Sequence, residues 1–492
     1  MLKIQKMSLP KVSIPVLIMA LLGSAAFLLW DFGEIFGDIE LKLAFLLALL
    51  LIAAGAKIIH SYIRKTGILF DSYILIWLSF IFIYPISAAC HLINTNSKLR
   101  GFYDMVQSGN TAMTGRILYS LLVVAIAFIA LKMGLGQIKT GLAKPIKELR
   151  VNCRLLLVMG IFFICVSVIG KIKLFGGFPS LKELLAVDTF KEIGSGTARY
   201  VFISQWFGWG LIFLTVYFLN TFLARSSGLF LLWFLLAACA TVINLFSSGS
   251  RGSAALFLLP GLLLLQRLRP KYLKLMLVLI GALFLVYFFL CTFFRTKNFT
   301  DFKISEYLLA IFDWQVGRFS MIGLGIKVVQ SDGLGFGATL LNGFVNTINV
   351  PLTLLKLPHL LPVPQSVTSI VGNYLMGNPE FEGIVPGNIF DFYYNFSLIG
   401  VAVGYFIIGI IVRKAISVMK KTDSMGAFIF WSYVIVTLSI CGIPGTATGW
   451  IYYLATTGFP VLFFWGCEKA LSYIRLLSFG VKKNAVSSGS VC

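Results

Sequence analysis

Charge is scarce in this chain of 492 residues. Only 12% of them are Asp, Glu, Lys or Arg, against roughly 25% in an ordinary soluble domain. With 58% hydrophobic residues and a mean hydropathy of +0.91, that shortage excludes a cytosolic enzyme, a nucleic-acid binder and a disordered scaffold. Histidine is nearly absent, at three residues, and the eight cysteines lie singly along the chain. Neither a zinc site nor a disulfide framework has the clustered ligands it would need. There is also no DxD, HExxH, Walker loop or GxSxG, so nucleotide-sugar, ATP and zinc chemistry lack their motifs. The expected cofactor and metal complement is none.

What is abundant is apolar sequence in long runs. A helix needs about 20 apolar residues to cross the hydrocarbon layer. Runs near that length fall at 12–30, 41–59, 68–89, 117–132, 155–170, 200–223, 229–246, 252–266, 275–294, 396–412, 426–441 and 450–466. The first follows Lys3, Lys6 and Lys11, as a signal peptide would, but its length suits a spanning helix. The expected fold class is therefore an all-α, polytopic integral membrane protein of about 12 transmembrane helices.

The formal charge of +22 is then a matter of topology rather than of a polyanionic partner. Lys and Arg crowd the loops at 57–65, 132–154, 267–274 and 413–421, all on the side of the N-terminus. Of the 19 acidic residues, only Asp71, Glu148, Asp423 and Glu468 share that side. The positive-inside rule places it, and both termini, in the cytoplasm.

One outer loop dominates. Residues 295–395 contain no convincing span, and a loop of that length carries structure or function. Three divisions follow: an N-terminal bundle of about nine helices (1–294), a large outer loop (295–395) and C-terminal helices with a cytoplasmic tail (396–492). Within the loop, Leu308, Phe312, Val316, Phe319, Ile322, Ile326 and Val329 recur at helical spacing, with Asp313, Gln315, Arg318, Lys327 and Gln330 between them. That pattern predicts an amphipathic helix at the outer interface. Leu334 to Leu357 is apolar but interrupted by Asn342, Asn346, Asn349 and Pro351, and reads as a re-entrant or surface segment. Beyond it, Pro and Gly from Pro358 to Gly387 predict an irregular lid.

Several residues could carry chemistry outside the membrane. The turn Ser247-Ser-Gly-Ser-Arg-Gly252, with Ser248 and Ser250, offers outward backbone N–H groups beside Arg251, a grip for phosphate. It would serve equally as a tight hairpin anchored in the headgroups. Arg295 and Arg318 can face the same outer cavity as Arg251, and three guanidinium forks could neutralise a pyrophosphate. Snorkelling to headgroups is the competing role for each. Asp391 and His359 are candidate proton acceptors, first and second choice, and solvated loop positions otherwise. Tyr374, Tyr393 and Asn395 are residue types that stack on and hydrogen-bond sugars, and also those of an interfacial aromatic belt.

Taken together, the SSGSRG turn before a short span, the long arginine-bearing outer loop and the run Asp391-Phe-Tyr-Tyr-Asn-Phe-Ser-Leu-Ile-Gly-Val-Ala-Val-Gly-Tyr405 resemble the Wzy-type oligosaccharide repeat unit polymerases, or O-antigen polymerases. Ser397 stands where that pattern leads one to expect glycine. The resemblance implies a metal-independent glycosyltransferase of the bacterial inner membrane. Its substrate would be an undecaprenyl-pyrophosphate-linked oligosaccharide at the periplasmic face. The growing glycan would pass from its lipid pyrophosphate to a new lipid-linked repeat. The partners implied are that lipid-linked substrate and the bilayer, with a chain-length regulator left open and no nucleic acid. An O-antigen ligase-like transferase using His359, and a flippase for the same lipid-linked substrate, are the alternatives. Almost uncharged spans with polarity crowded on one side disfavour the flippase.

Overall fold

The structure, a computed structural model, describes residues 39–66, 71–93, 114–136, 149–177, 198–221, 251–268, 318–355, 357–378 and 385–487, with isolated residues between 232 and 281. Every regular element among them is a helix. In chain order they are α1 (Ile39–Thr66), α2 (Ser72–Ile93), α3 (Thr114–Leu135), α4 (Cys153–Phe175), α5 (Ala198–Gln205), α6 (Phe207–Thr221), α7 (Arg251–Leu268), α8 (Phe319–Asp332), α9 (Ala338–Leu355), α10 (Val367–Met376), α11 (Asn388–Lys421), α12 (Met425–Thr437), α13 (Gly449–Ala455) and α14 (Phe459–Ser487).

Among the described residues, six helical stretches are long and apolar enough to cross a membrane: Leu41–Thr66, Ser72–Ile93, Ile117–Leu135, Cys153–Phe175, Asn388–Lys421 and Met425–Gly442. They match the second to fifth, tenth and eleventh of the expected runs, and the chain is an all-helical membrane protein. The sixth run is divided at Trp206 into α5 and α6, the eighth forms the shorter α7, and the last is divided between α13 and α14. The first run lies outside the described residues, and the seventh and ninth are described only at isolated positions.

The chain forms two compact units. The first comprises Met1–Pro145, Asn298–Ile416 and Ile435–Tyr452. Its core is aromatic: Trp77 and Phe80 of α2 meet Phe128 of α3, and Phe80 also meets Tyr84 and Tyr405 edge to face or tilted. Burying rings of this size supplies contact area and orients each ring against its neighbour. Helices α3 and α11 approach so closely that a β-carbon on Gly134 would stand 2.2 Å from the carbonyl oxygen of Phe406, and one on Gly409 2.7 Å from that of Leu131. In lipid, where water does not drive helices together, such backbone contact is the main packing device.

Helix α8 departs from the expected interfacial helix. Its residues from Phe319 to Ile326 are all buried, packed on α2 and α3. Ser320, Gly323 and Gly325, set between the large residues around the helix, are small enough to be covered too, and a β-carbon at Gly325 would already touch the Phe390 ring at 3.0 Å. Polar exposure begins only at its end, with Gln330, Ser331 and Asp332. The expected lid is also more regular than its proline content suggests. Ser366 caps α10 by accepting from Ser369 N at 3.0 Å, and Gly377 ends it at φ 65°, a conventional pair of helix signals.

The second unit comprises Ile146–Lys297, Ser417–Val434 and Tyr453–Cys492. Here Trp206 and Trp209 donate their indole N–H groups to the carbonyls of Thr456 (3.0 Å) and Thr457 (2.8 Å), so their burial leaves no orphaned donor. Phe213 stacks on Phe464, and Phe163 meets Phe213 and Phe463. Glu468 of α14 accepts from Ser424 Oγ (2.6 Å), Gly426 N (2.9 Å) and Met425 N (3.2 Å). A carboxylate there satisfies first-turn donors of α12 and opposes the positive end of its dipole.

Candidate functional site

The polar centre of the first unit is built where two helices lose α-helical register. In α2, Pro85 lacks the N–H that would continue the ladder, and Phe82–Ile86 winds as a π turn. A second π turn, Leu438–Gly442, ends the stretch begun by α12, with Ile443 N bonded to Leu438 O at 2.8 Å. Such turns shift carbonyls out of line and recur at functional sites. Ser79 Oγ donates to the carbonyl of Ser439 in the second turn.

Arg318 sits against both turns. Its backbone N–H donates to Ile83 O at 2.9 Å, and its Nε donates to Pro444 O at 3.2 Å. Holding Nε on a carbonyl fixes the plane of the guanidinium, which matters for a group that recognises oxyanions as a planar fork. The residue is half-buried. Gly387 makes the approach possible: a β-carbon there would lie 3.0 Å from both Arg318 Cβ and Tyr84 Oη, and its φ of 87° suits only glycine.

Beside Arg318, the Tyr84 hydroxyl lies 2.8 Å from Ile443 O and 3.0 Å from Asn388 Oδ1, and accepts from Ile389 N at 3.3 Å. Tyr405 donates to the same Asn388 oxygen at 2.5 Å. Asn388 is wholly buried, and its Nδ2 has no hydrogen-bond partner.

One turn further along α11 is Asp391, also wholly buried. Its Oδ1 is bonded by Thr339 Oγ1 (2.5 Å) and accepts from Asn395 Nδ2 (3.0 Å), while Oδ2 accepts from Ala447 N (2.8 Å). Asn395 is held in turn, accepting from Gly337 N at 2.8 Å and reaching Thr339 Oγ1 at 2.6 Å. These bonds join three distant pieces of chain: α9, α11 and the segment after the second π turn. Just beyond, α11 breaks. Phe396 (φ −143°, ψ 22°) and Ser397 (φ 55°, ψ −146°) leave helical geometry. The carbonyls of Tyr394 and Asn395 accept instead from Gly335 N (3.0 Å) and Phe336 N (3.2 Å).

The structure thus brings Asp391 and Asn395 into one network, and places Arg318 beside the same Ile443–Ala447 segment that supplies one of its donors. Tyr393 is buried on α11 with its hydroxyl 3.3 Å from that of Tyr119. Tyr374 packs with Met321, Leu324 and Val328, under Lys327 Nζ at 5.6 Å from its ring. His359 is exposed and hydrogen-bonds Thr353 Oγ1 at 3.1 Å, apart from the Asp391 network. Arg251 opens α7, and its side chain, like Ser248, Ser250 and Arg295, lies outside the described residues. Asp391, first choice as a base from sequence, has no exposed surface and both oxygens occupied, which is the geometry of a cross-link.

Tyr84, Thr339, Asn388, Tyr405 and the backbone of Pro444 and Ala447 were not singled out by sequence reasoning. The available signals were Pro85 inside an apolar run and the small-residue stretch Gly442-Ile-Pro-Gly-Thr-Ala-Thr-Gly449. Among the described residues, no three His, Cys, Asp or Glu side chains gather as a metal site would require. No protein-family model, curated protein or solved structure matches the chain.

Proposed function

We propose that this membrane protein polymerises lipid-linked oligosaccharide repeat units, transferring the growing glycan from undecaprenyl pyrophosphate to a new lipid-linked repeat at the periplasmic face of a bacterial inner membrane. The observation that carries the reading is Arg318: a half-buried guanidinium, oriented by the Pro444 carbonyl and set against two π turns in a helical membrane protein. In this reaction the bond from the anomeric carbon to the pyrophosphate oxygen breaks, and an acceptor hydroxyl oxygen takes its place. Negative charge grows on the departing pyrophosphate, and a fixed cation stabilises that growth most where water is scarce.

Arg251 and Arg295, with Ser248 and Ser250, are further phosphate contacts expected from the sequence alone, and their side chains lie outside the described residues. Asp391 and Asn395 are positioning residues in this scheme. They hold α9 and the Ile443–Ala447 segment, and through that segment the carbonyl that orients Arg318. The acceptor's proton leaves to water or to His359. Transport of the same lipid-linked substrate would call for an ionisable group awaiting a partner within a span, whereas Asp391 already has three donors.

The test is reconstitution. Purified protein supplied with undecaprenyl-pyrophosphate-linked repeats extracted from its host should yield longer lipid-linked chains and release undecaprenyl pyrophosphate. Removing one preorganised donor to a developing anion typically costs about 10²–10³ in rate, so Arg318→Ala should lose about that much. Unchanged repeats with the wild-type protein would refute the reading.

A further inference from the structure

Helix α9 and the strap that follows it turn an apolar surface outward. On the helix, Leu341, Phe344, Ile348 and Leu355 lie on one face and are 48–69% exposed. On the strap, Leu357, Leu360, Leu361 and Val363 are 42–73% exposed. From Ala338 to Ser366 the only Asp, Glu, Lys or Arg is Lys356. An apolar surface this continuous is far beyond the scattered exposed leucines of a soluble surface.

His359 and Gln365 are exposed on the strap, but the asparagines of the helix turn away from the apolar face, and two of them tie the strap to the helix. Asn342 Nδ2 donates to Pro364 O (2.6 Å), Asn349 Nδ2 to Leu361 O (3.0 Å), and Asn346 Nδ2 to Asn342 Oδ1 (2.9 Å). Thr347 and Thr353 turn their hydroxyls back onto the helix, to Gly343 O (2.6 Å) and Asn349 O (3.0 Å). Pro358, Pro362 and Pro364 remove three N–H groups from the strap. The asparagines that interrupt the apolar run are therefore the ties of a hairpin, and the apolar side chains are its outer coat. Reducing unsatisfied backbone polarity while coating the outside with leucine is what a non-helical segment needs in contact with hydrocarbon.

We propose that Ala338–Ser366 is a membrane-inserted hairpin, seated at the boundary between headgroups and acyl chains of the bilayer that the spanning helices cross. The occupant of its apolar face is lipid. The presence of spanning helices in the same chain puts that lipid within reach, and the near-absence of charge over 29 consecutive residues suits hydrocarbon better than a polar partner. The proposal is independent of the glycan chemistry above.

The experiment uses the full-length wild-type protein in nanodiscs containing a phospholipid with a photoactivatable diazirine near the middle of one acyl chain. After illumination, lipid adducts are mapped by peptide mass spectrometry. Adducts on 338–363 should approach those on exposed span positions such as Ile129 and Val158, and exceed by tenfold those on the exposed polar end of α8, Gln330–Gly333. Adducts on the spans with none on the hairpin would overturn the proposal. So would protein-to-protein cross-links from the hairpin without lipid adducts, which would assign the face to a second copy. An Asn342→Leu, Asn349→Leu variant, in which the strap loses its ties, should lose hairpin adducts while the span adducts stay unchanged. Retention of its hairpin adducts would refute the role given to the asparagines.

Discussion

Replacing Ser397 by alanine and by glycine in turn should reverse the ordinary order of those two residues. In an undistorted helix interior, glycine is about 1 kcal/mol less stable than alanine. Ser397 instead holds φ 55° and ψ −146° inside α11, a region where a β-carbon costs about 1–3 kcal/mol. The geometry is not accidental strain. It frees the carbonyls of Tyr394 and Asn395 to accept from Gly335 and Phe336, and so ties the chain before α9 to the Asp391 network. Ser397→Ala keeps the β-carbon while removing the hydroxyl, and Ala→Gly then removes the β-carbon alone. That second step should stabilise by up to about 2 kcal/mol, the strain relieved less the entropy that glycine costs. For a chain of this size the shift is on the order of 1–2 °C per kcal/mol, readable by thermal unfolding of the purified variants in detergent. A glycine variant less stable than the alanine variant would show that Ser397 sits in ordinary helix and would remove the kink from the account.

Three further outcomes follow from the same geometry. Asp391→Asn sets an amide against the N–H of Ala447 or the donors from Thr339 and Asn395, and each buried donor left unmatched costs about 1–3 kcal/mol; thermal unfolding should show a clear loss of stability, and an unchanged midpoint would contradict the cross-link. Gly134→Ala forces α3 away from the Phe406 carbonyl and should cost about 1–3 kcal/mol by overpacking, measured in the same assay, with wild-type stability refuting the close helix contact. Arg318→Lys keeps the charge but loses the planar fork, so polymer yield in the reconstituted reaction should fall nearly as far as with Arg318→Ala; full activity with lysine would reduce the arginine to a simple charge.

The spans were legible because hydropathy over about 20 residues is a local property, and six of the expected runs are helices of spanning length. What joins the elements was not. Asp391 finds its partners 52 and 56 residues away, at Thr339 and Ala447, and no local pattern encodes such pairing. Helix α8 was misread because Ser320, Gly323 and Gly325 register as neither polar nor apolar, yet their smallness is what allows the helix to be covered on every side. Ser397 was half legible. The expectation of glycine at that position has a physical counterpart in its positive φ, although the residue there is serine. Asn342 and Asn349 were read as interruptions unsuited to a lipid-facing span, and their role as ties to Pro364 and Leu361 needed the path of the strap.

The central claim is tested most directly in cells. Surface glycan from a strain lacking this gene, and from the same strain complemented with it, would be compared by gel electrophoresis. The account predicts that the deletion abolishes the ladder of chain lengths and leaves a single repeat unit on the final acceptor, with the ladder restored by complementation. A normal ladder without the gene, or loss of every repeat unit from the surface, would contradict polymerisation, and the second result would point to ligation or flipping instead.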